Sequence, residues 1–385
     1  MKSIMKSVIN KDEKTSEFER LADSDTGPRS KQLLDQDTLT KLKSKFLSYW
    51  PTCKNDYFPA PQPVSLERRD IFKFKKFPYL ACVKSDGMRF IMVCTIIDGK
   101  QKTFMVNRAF RYYEVDQCFD ESIYKGTIFD GELIKTGENR DEWTYVIHDC
   151  ISFCGDDVSQ QTFTKRYECV VMLIETYWSI TNKEKEQKDC IDSFPIEIKK
   201  FYKFADMDKL VDDMNKGVIN HNTDGLIFTP VTLPVGMHTQ YTLFKWKPRD
   251  LHTFDFKIVE KEDTIIAQVN DKGNLTDFAG IDKNTEVGKM FLNKLATLKE
   301  YEDGSIVECN YNEVTECYEP KLIRKDKTHP NGIFTVDKTL LNIRENITIE
   351  EIIKISKNNY GPPQPKERYG NYFQGTGASR GAKRM

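Results

Sequence analysis

The sequence predicts an α+β protein in two parts: a larger domain of antiparallel sheets with helices among them, then a smaller, mainly β domain. Three observations carry that expectation. Apolar runs bounded by turn residues recur from Tyr79 to Trp246 and outnumber the stretches with helical spacing. The runs shorten after Pro248-Arg249-Asp250, which places a boundary near residue 250. A chain of 385 residues, 39% apolar and 30% charged, suits two cores of the usual size, roughly 100 to 200 residues each.

Residues 1–32 are polar, rich in Ser, Asp and Lys and broken by Gly27-Pro28, so they read as a disordered arm. From Asp37, the residues Leu39, Leu42 and Phe46 share a helical face that Pro51 ends. After a Pro-rich link at Pro59, Pro61 and Pro63, strands are expected at 79–83, 89–97 and 102–107, the last two joined by the hairpin dipeptide Asp98-Gly99. Further strands fall at 127–134, 143–152, 197–204, 225–229 and 242–246. Helices fall at 162–179, where Tyr167, Val170, Val171, Ile174 and Trp178 line one face, and at 206–216. The second domain, 251–345, shows strands at 254–259, 264–269 and 305–311, a helix near 286–298 and a basic loop at 321–327. Two more strands would complete a small barrel of the OB kind. Residues 346–385 read as a short helix and a disordered tail. In that tail Lys366, Arg368, Arg380, Lys383 and Arg384 outnumber Glu367, a balance suited to touching RNA.

Composition excludes several classes. No run approaches the roughly 18 apolar residues of a membrane span, and the opening MKSIMKSVINKDEK turns charged too early for a signal peptide, so no membrane is expected. The ten cysteines are scattered and follow no export signal, which favours reduced thiols. With 58 Lys and Arg against 59 Asp and Glu, the chain is no basic coat, and nucleic-acid contact is expected only in a groove. His148, Cys150 and Cys154 lack the paired spacing of a zinc site, and 183–188 reads as a solvated charge run.

Four segments carry chemistry. Lys84-Ser85-Asp86-Gly87-Met88-Arg89 lies between two apolar runs, so it presents a lysine at a strand end with a glycine for a tight turn. A lysine nucleophile needs nearby cations or desolvation to shed its proton; a solvated turn beside a hairpin fits the hexapeptide equally well. Phe129-Asp130-Gly131-Glu132-Leu133 sets two acids in an apolar strand, and Asp224-Gly225-Leu226-Ile227-Phe228 opens another strand with an acid; caps and turns also use acids this way. Lys245-Trp246-Lys247-Pro248 puts two amines on one strand face, as a lysine-guarded edge strand would.

In this order the four segments resemble the covalent nucleotidyltransferase superfamily of mRNA capping guanylyltransferases and polynucleotide ligases. The resemblance spans roughly residues 60 to 340 and implies a nucleotidyltransferase domain over 33–250 followed by an OB-fold domain over 251–345. Phe244-Lys245-Trp246-Lys247-Pro248 followed by His252-Thr253-Phe254-Asp255-Phe256 is similar to the capping branch, as is Arg324-Lys325-Asp326-Lys327 to that branch's last motif, RxRxDK. Leu322 stands at that motif's first arginine, with Lys321 beside it, and His148 stands where the family places an aromatic ring against the base.

The resemblance implies that Lys84 attacks GTP to form lysyl-GMP, which passes GMP to a 5'-diphosphate RNA. It implies nucleotide contacts from Asp86, Arg89, Arg108, Glu132, His148, Lys245 and Lys247, with Arg324, Asp326 and Lys327 reaching the triphosphate when the second domain closes. Lys245 and Lys247 would also depress the Lys84 pKa. Mg²⁺ or Mn²⁺ is implied at Asp224 and Glu132. No HCxxxxxR phosphatase loop occurs, and the first 60 or so residues are short for another catalytic domain. A separate RNA triphosphatase and a separate cap methyltransferase are therefore expected, with an RNA polymerase docking surface left open. The site of action would be the nucleus for a cellular protein and a cytoplasmic replication site for a viral one. The rivals are an ATP-dependent DNA or RNA ligase and a noncatalytic RNA-end binding module.

Overall fold

The computed structural model describes residues 19–21, 27–53, 60–137, 142–178, 191–312, 314–325 and 327–357. Its frame is a nine-stranded sheet facing a five-stranded one, followed by a third sheet, also of five strands. In the large sheet Met88–Ile97 lies centrally, between Lys100–Asn107 and Thr127–Thr136, and Glu142–Phe153 follows. Alternate residues of that central strand enter different cores. Phe90, Met92 and Cys94 pack with Val170 of the helix Phe163–Met172, while Ile91, Val93 and Ile97 pack with Leu42, Tyr49 and Trp50 from the other side. A strand buried on both faces has to be apolar almost throughout, which is why its alternation is faint. Asp98 and Gly99 turn the hairpin with φ of 50° and 75°, the positive pair a two-residue turn needs.

The second sheet runs Tyr202–Lys203, Tyr79–Ser85, Thr223–Pro230, His238–Trp246, Pro61–Ser65. Its outer face packs Phe74, Phe204, Leu210, Phe228 and Phe244 together. The third sheet has the order Asn274–Asp282, Thr264–Asp271, Thr253–Glu260, Ile306–Asn312, Cys317–Ile323, with the helices Glu286–Thr297 and Ile333–Glu345 contributing Phe291, Leu295, Val336 and Ile343 to its core.

Several expectations need correction. Part of the proposed arm is ordered: Glu19–Arg20 and Arg29–Gln32 extend the large sheet and Leu21 is buried, because Lys31 and Gln32 pair with Glu114 and Tyr113 and a polar edge strand needs only backbone partners. Residues 1–18 lie outside the described residues, as do 183–188 and the tail from 358. The Pro-rich link forms the edge strand Pro61–Ser65, where proline's missing N–H costs no ladder bond. The single strand expected at 197–204 is two, Ile196–Ile198 in the large sheet and Tyr202–Lys203 in the second. Asn274–Asp282 and Cys317–Ile323 were not anticipated, and the latter takes up the start of the basic loop. The helix Ile349–Lys357 returns to the second sheet's core through Ile352, and Arg68 bonds Glu351 at 2.7 Å. Eight described cysteines are free, in line with the expected reduced thiols, but Cys118 is disulfide-bonded. It lies on a segment held against 192–194, where Asp192 accepts from the Cys118 N–H at 2.7 Å.

Candidate active site

The hexapeptide 84–89 is no hairpin turn. Tyr79–Ser85 belongs to the second sheet and Met88–Ile97 to the large one, so the segment carries the chain across the junction of the two. Gly87 is required by close approach: a Cβ there would lie 2.6 Å from Leu133 O. A bulge then sets the chemistry. Thr223 pairs with Ser85 and Leu226 with Val83, so Asp224 and Gly225 together face Lys84. The bulge depends on Gly225, whose φ is +149° and whose Cβ would lie 1.9 Å from Trp246 O. Lys84 Nζ consequently donates to Asp224 Oδ1 at 2.6 Å, and Lys247 Nζ lies 2.6 Å from Oδ2. Withdrawal from water pushes the Asp224 pKa up, but the two lysines outweigh it and hold the carboxyl below its ordinary value.

A cavity of about 160 Å³ opens between the sheets, lined by Lys84, Arg89, Arg108, Glu132 and His148 among others. His148 is the extra residue of a second bulge, since Asp130 pairs with Asp149 and Gly131 with Ile147. Its Nε2 lies 3.3 Å from Asp130 Oδ1. Asp130, 1% exposed, is a residue whose role the sequence reading missed. Burial acts to raise its pKa, but the Arg89 charge and His148 hold it below the ordinary range. All three guanidinium nitrogens of Arg89 are engaged: Nε and Nη2 donate to Asp130, and Nη1 donates to Pro61 O at 2.8 Å. Arg108, by contrast, is exposed and makes no hydrogen bond or ion pair among the described residues. Glu132, opposite Arg89 in register, likewise has no such partner among them, and desolvation raises its pKa against the pull of Lys199, His148 and Lys84. Asp86 is exposed and does not line the cavity; its N–H donates to Asn222 O.

With this geometry in view, two matching family models account for most of the chain: mRNA capping enzyme, catalytic domain, over residues 27–249, and mRNA capping enzyme, C-terminal domain, over 248–353. The chain belongs to the mRNA capping enzyme family. It is 25% identical to the mRNA-capping enzyme subunit alpha of Schizosaccharomyces pombe, with 84% of this chain and 85% of that protein covered. It is 27% identical to the corresponding subunit of Saccharomyces cerevisiae, with coverage of 77% and 78%. Among solved structures, a mycobacterial DNA ligase D complexed with ATP and MES is similar at 12% identity and a TM-score of 0.38, covering 70% of this chain and 94% of that one.

The cavity also contains residues that sequence reasoning missed. Lys199, 7% exposed, sits at the break between the two short strands; it has no carboxylate in ion-pair range among the described residues, and burial, with Lys84 adding to it, lowers its pKa. Arg166 and Asp149 form a buried bidentate pair at 2.8 and 2.9 Å that also ties down Leu233 O. Acids within an apolar strand were the signal for Asp130 and Asp149; nothing local marked Lys199.

A second cavity, of about 310 Å³, brings Lys245, Lys247 and Lys327 together between the domains. Burial, then the charges of Lys247, Lys84 and Arg108, push the Lys245 pKa down. Arg324 does not line this cavity; it donates to Asp255 at 2.9 Å and Glu308 at 3.0 Å. Lys321, the candidate substitute for the missing arginine, bonds Glu308 at 3.1 Å, and Asp326 lies outside the described residues. Among the described residues no three His, Cys, Asp or Glu side chains converge as a metal cage. Glu132 lines the first cavity with no hydrogen-bond or ion-pair partner among the described residues, whereas Asp224 does not line it and has both oxygens on lysines; a hard divalent cation of the kind that takes one or two carboxylates and fills its shell with phosphate oxygens and water would have to draw Asp224 away from them. No helix among the described residues is long and apolar enough to cross a membrane.

Proposed function

We propose that Lys84 is the nucleophile of this GTP–RNA guanylyltransferase. Its Nζ bonds the α-phosphorus of GTP as the bond to the bridging oxygen of pyrophosphate breaks. The lysyl-GMP then loses its N–P bond as the terminal phosphate of a 5'-diphosphate RNA takes the GMP. The observation that carries the reading is Lys84 at the cavity wall, 2.6 Å from an Asp224 that Lys247 also grips.

An ammonium cannot attack, so the amine has to leave Asp224 and pass its proton to solvent water in the cavity before it bonds phosphorus. Asp224, with its depressed pKa, accepts that proton poorly and suits a cation better. Mg²⁺ or Mn²⁺ at Asp224 and Glu132 would offset charge on the phosphate oxygens. Lys245 and Lys247 neutralise the α-phosphate, and Arg108, uncommitted, contacts ribose or phosphate. Arg89 acts instead through Asp130, fixing the wall that carries His148. His148 offers its ring plane to the base, and Lys199 offers an N–H donor. Guanine presents the O6 acceptor where adenine presents an amino group, so a buried ammonium favours guanine.

Lys327 shares the interdomain cavity with Lys245 and Lys247, which supports a role on the triphosphate, whereas Arg324 has to leave Asp255 and Glu308 before it can join; Asp326 is assigned with them. Closing would orient pyrophosphate for departure and opening would admit RNA. The acceptor's diphosphate end requires an RNA triphosphatase beforehand and a cap methyltransferase afterwards. The eukaryotic relatives favour nuclear action.

The test incubates the protein with α-labelled GTP or ATP and a divalent cation, then resolves it by denaturing electrophoresis. Label from GTP, lost in Lys84→Ala, is the expected result. Label from ATP alone, or an adduct persisting in Lys84→Arg, would overturn the assignment.

A further inference from the structure

Lys199 does not stand alone. Its ammonium donates to Ser85 Oγ, and Ser85 Oγ lies 2.7 Å from His221 Nε2. The other ring nitrogen, Nδ1, lies 3.2 Å from Asn220 Oδ1. An amide oxygen only accepts, so Nδ1 carries a hydrogen, and Nε2 is the ring atom that meets the Ser85 hydroxyl. The Ser85 hydroxyl therefore receives from Lys199 and is held by the His221 ring, one connected chain from the loop before Thr223–Pro230 to the nucleotide cavity. Ser85 and Lys199 line that cavity and His221 does not.

The loop is fixed for this purpose at two points. Thr223 pairs with Ser85 in the second sheet, and Asn222 O accepts the Asp86 N–H at 2.9 Å. His221 is partly buried at the flank of the hexapeptide, while Lys199 has no carboxylate at ion-pair distance among the described residues and feels Glu132 only at longer range. A flexible four-carbon amine with three rotatable donors reads a base well only if something fixes its direction. Within this chain that fixing group is the Ser85 hydroxyl, and the hydroxyl is itself aimed by His221.

We infer that His221, acting through Ser85, is a positioning residue for Lys199, and that this chain sets how well the enzyme distinguishes GTP from ATP. The inference rests on the reading of Lys199 as the donor to the base. A residue that touches no substrate should act on nucleotide selection and leave the transfer step intact.

The test uses the full chain and measures kcat and KM for covalent labelling by GTP and by ATP. His221→Phe removes the ring nitrogen that holds Ser85 Oγ and keeps a ring. It should raise KM for GTP about tenfold, the effect of losing one well-aimed hydrogen bond, with kcat within about threefold and the GTP-to-ATP preference falling in proportion. His221→Gln, whose side-chain oxygen can occupy the Nε2 position, should restore most of the preference. Ser85→Ala, which removes the mediating hydroxyl from the cavity wall, should lower the GTP-to-ATP preference at least as far as His221→Phe, and that preference carries the test if phenylalanine prevents folding. In Lys199→Met the preference should collapse, and adding His221→Phe should reduce it no further. Equal losses with both nucleotides, or no rescue by glutamine, would reduce His221 to a structural part and overturn the inference. A preference unchanged in Lys199→Met would instead refute the reading of Lys199, which separates the two failures.

Discussion

The two arginines assigned together from sequence should behave oppositely when replaced. Arg89 donates twice to Asp130 and once to Pro61 O, and its side chain is 10% exposed against 1% for Asp130. Arg89→Lys keeps the charge but can satisfy only part of that pattern, because an ammonium is a point donor where the guanidinium is a fork. Losing two hydrogen bonds, one of them to a charged group, in a buried pair costs about 3–5 kcal/mol. At about 2–4 °C per kcal/mol for a domain of this size, the melting temperature should fall by roughly 6–20 °C. Arg108 is exposed and bonded to nothing among the described residues, so Arg108→Ala should leave the melting temperature within about 2 °C. If its guanidinium meets a phosphate or ribose oxygen, losing a contact of about 1.5–3 kcal/mol slows adduct formation at subsaturating GTP by about 10- to 150-fold. Circular dichroism melts and label incorporation, run on both variants, decide the matter. The reasoning fails if Arg89→Lys melts with the parent protein, or if Arg108→Ala labels at the parent rate.

Three further outcomes follow from the same geometry. Lys327→Ala should slow formation of lysyl-GMP while RNA capping from a preformed adduct is less affected, as single-turnover assays of each half-reaction would reveal; equal losses would argue against a role confined to the triphosphate. Gly225→Ala should cost about 1–3 kcal/mol from backbone strain alone and also lower labelling, because the new Cβ pushes on Trp246 O and displaces Asp224 from Lys84; a parent-like melt with full labelling would contradict the bulge. Asp130 has a folded pKa below its unfolded value, so its contribution to stability is complete above the unfolded pKa of about 3.9 and is lost as pH falls through the folded one. Urea titrations should find parent and Asp130→Asn furthest apart at pH 7 and converging below about pH 4.

The order of the four motifs, the residues proposed as nucleophile and acids, and most strands of the first two sheets could be picked out in the linear sequence. Period-two patterning and turn dipeptides are local, and the chemistry of phosphoryl transfer restricts residue types at each step. The Asp98-Gly99 hairpin and the alternation around Trp246 needed nothing more. What stayed hidden depended on contacts distant along the chain. Lys84 and Asp224 are 140 residues apart, and only a bulge in strand pairing turns them toward each other. A polar segment such as Arg29–Gln32 becomes a strand because an edge partner accepts it.

Whether a cation is already satisfied is likewise a tertiary fact. Arg89 and Arg108 look alike as residue types, yet burial beside Asp130 engages one and leaves the other open. Lys199 belongs to the site because its chain leaves one sheet for the other at that residue, which carries a lysine out of water and into the cavity. Sequence by itself determined what chemistry this protein could perform. Folding decided which charges remain available to perform it, since desolvation and pairing are properties of the assembled interior.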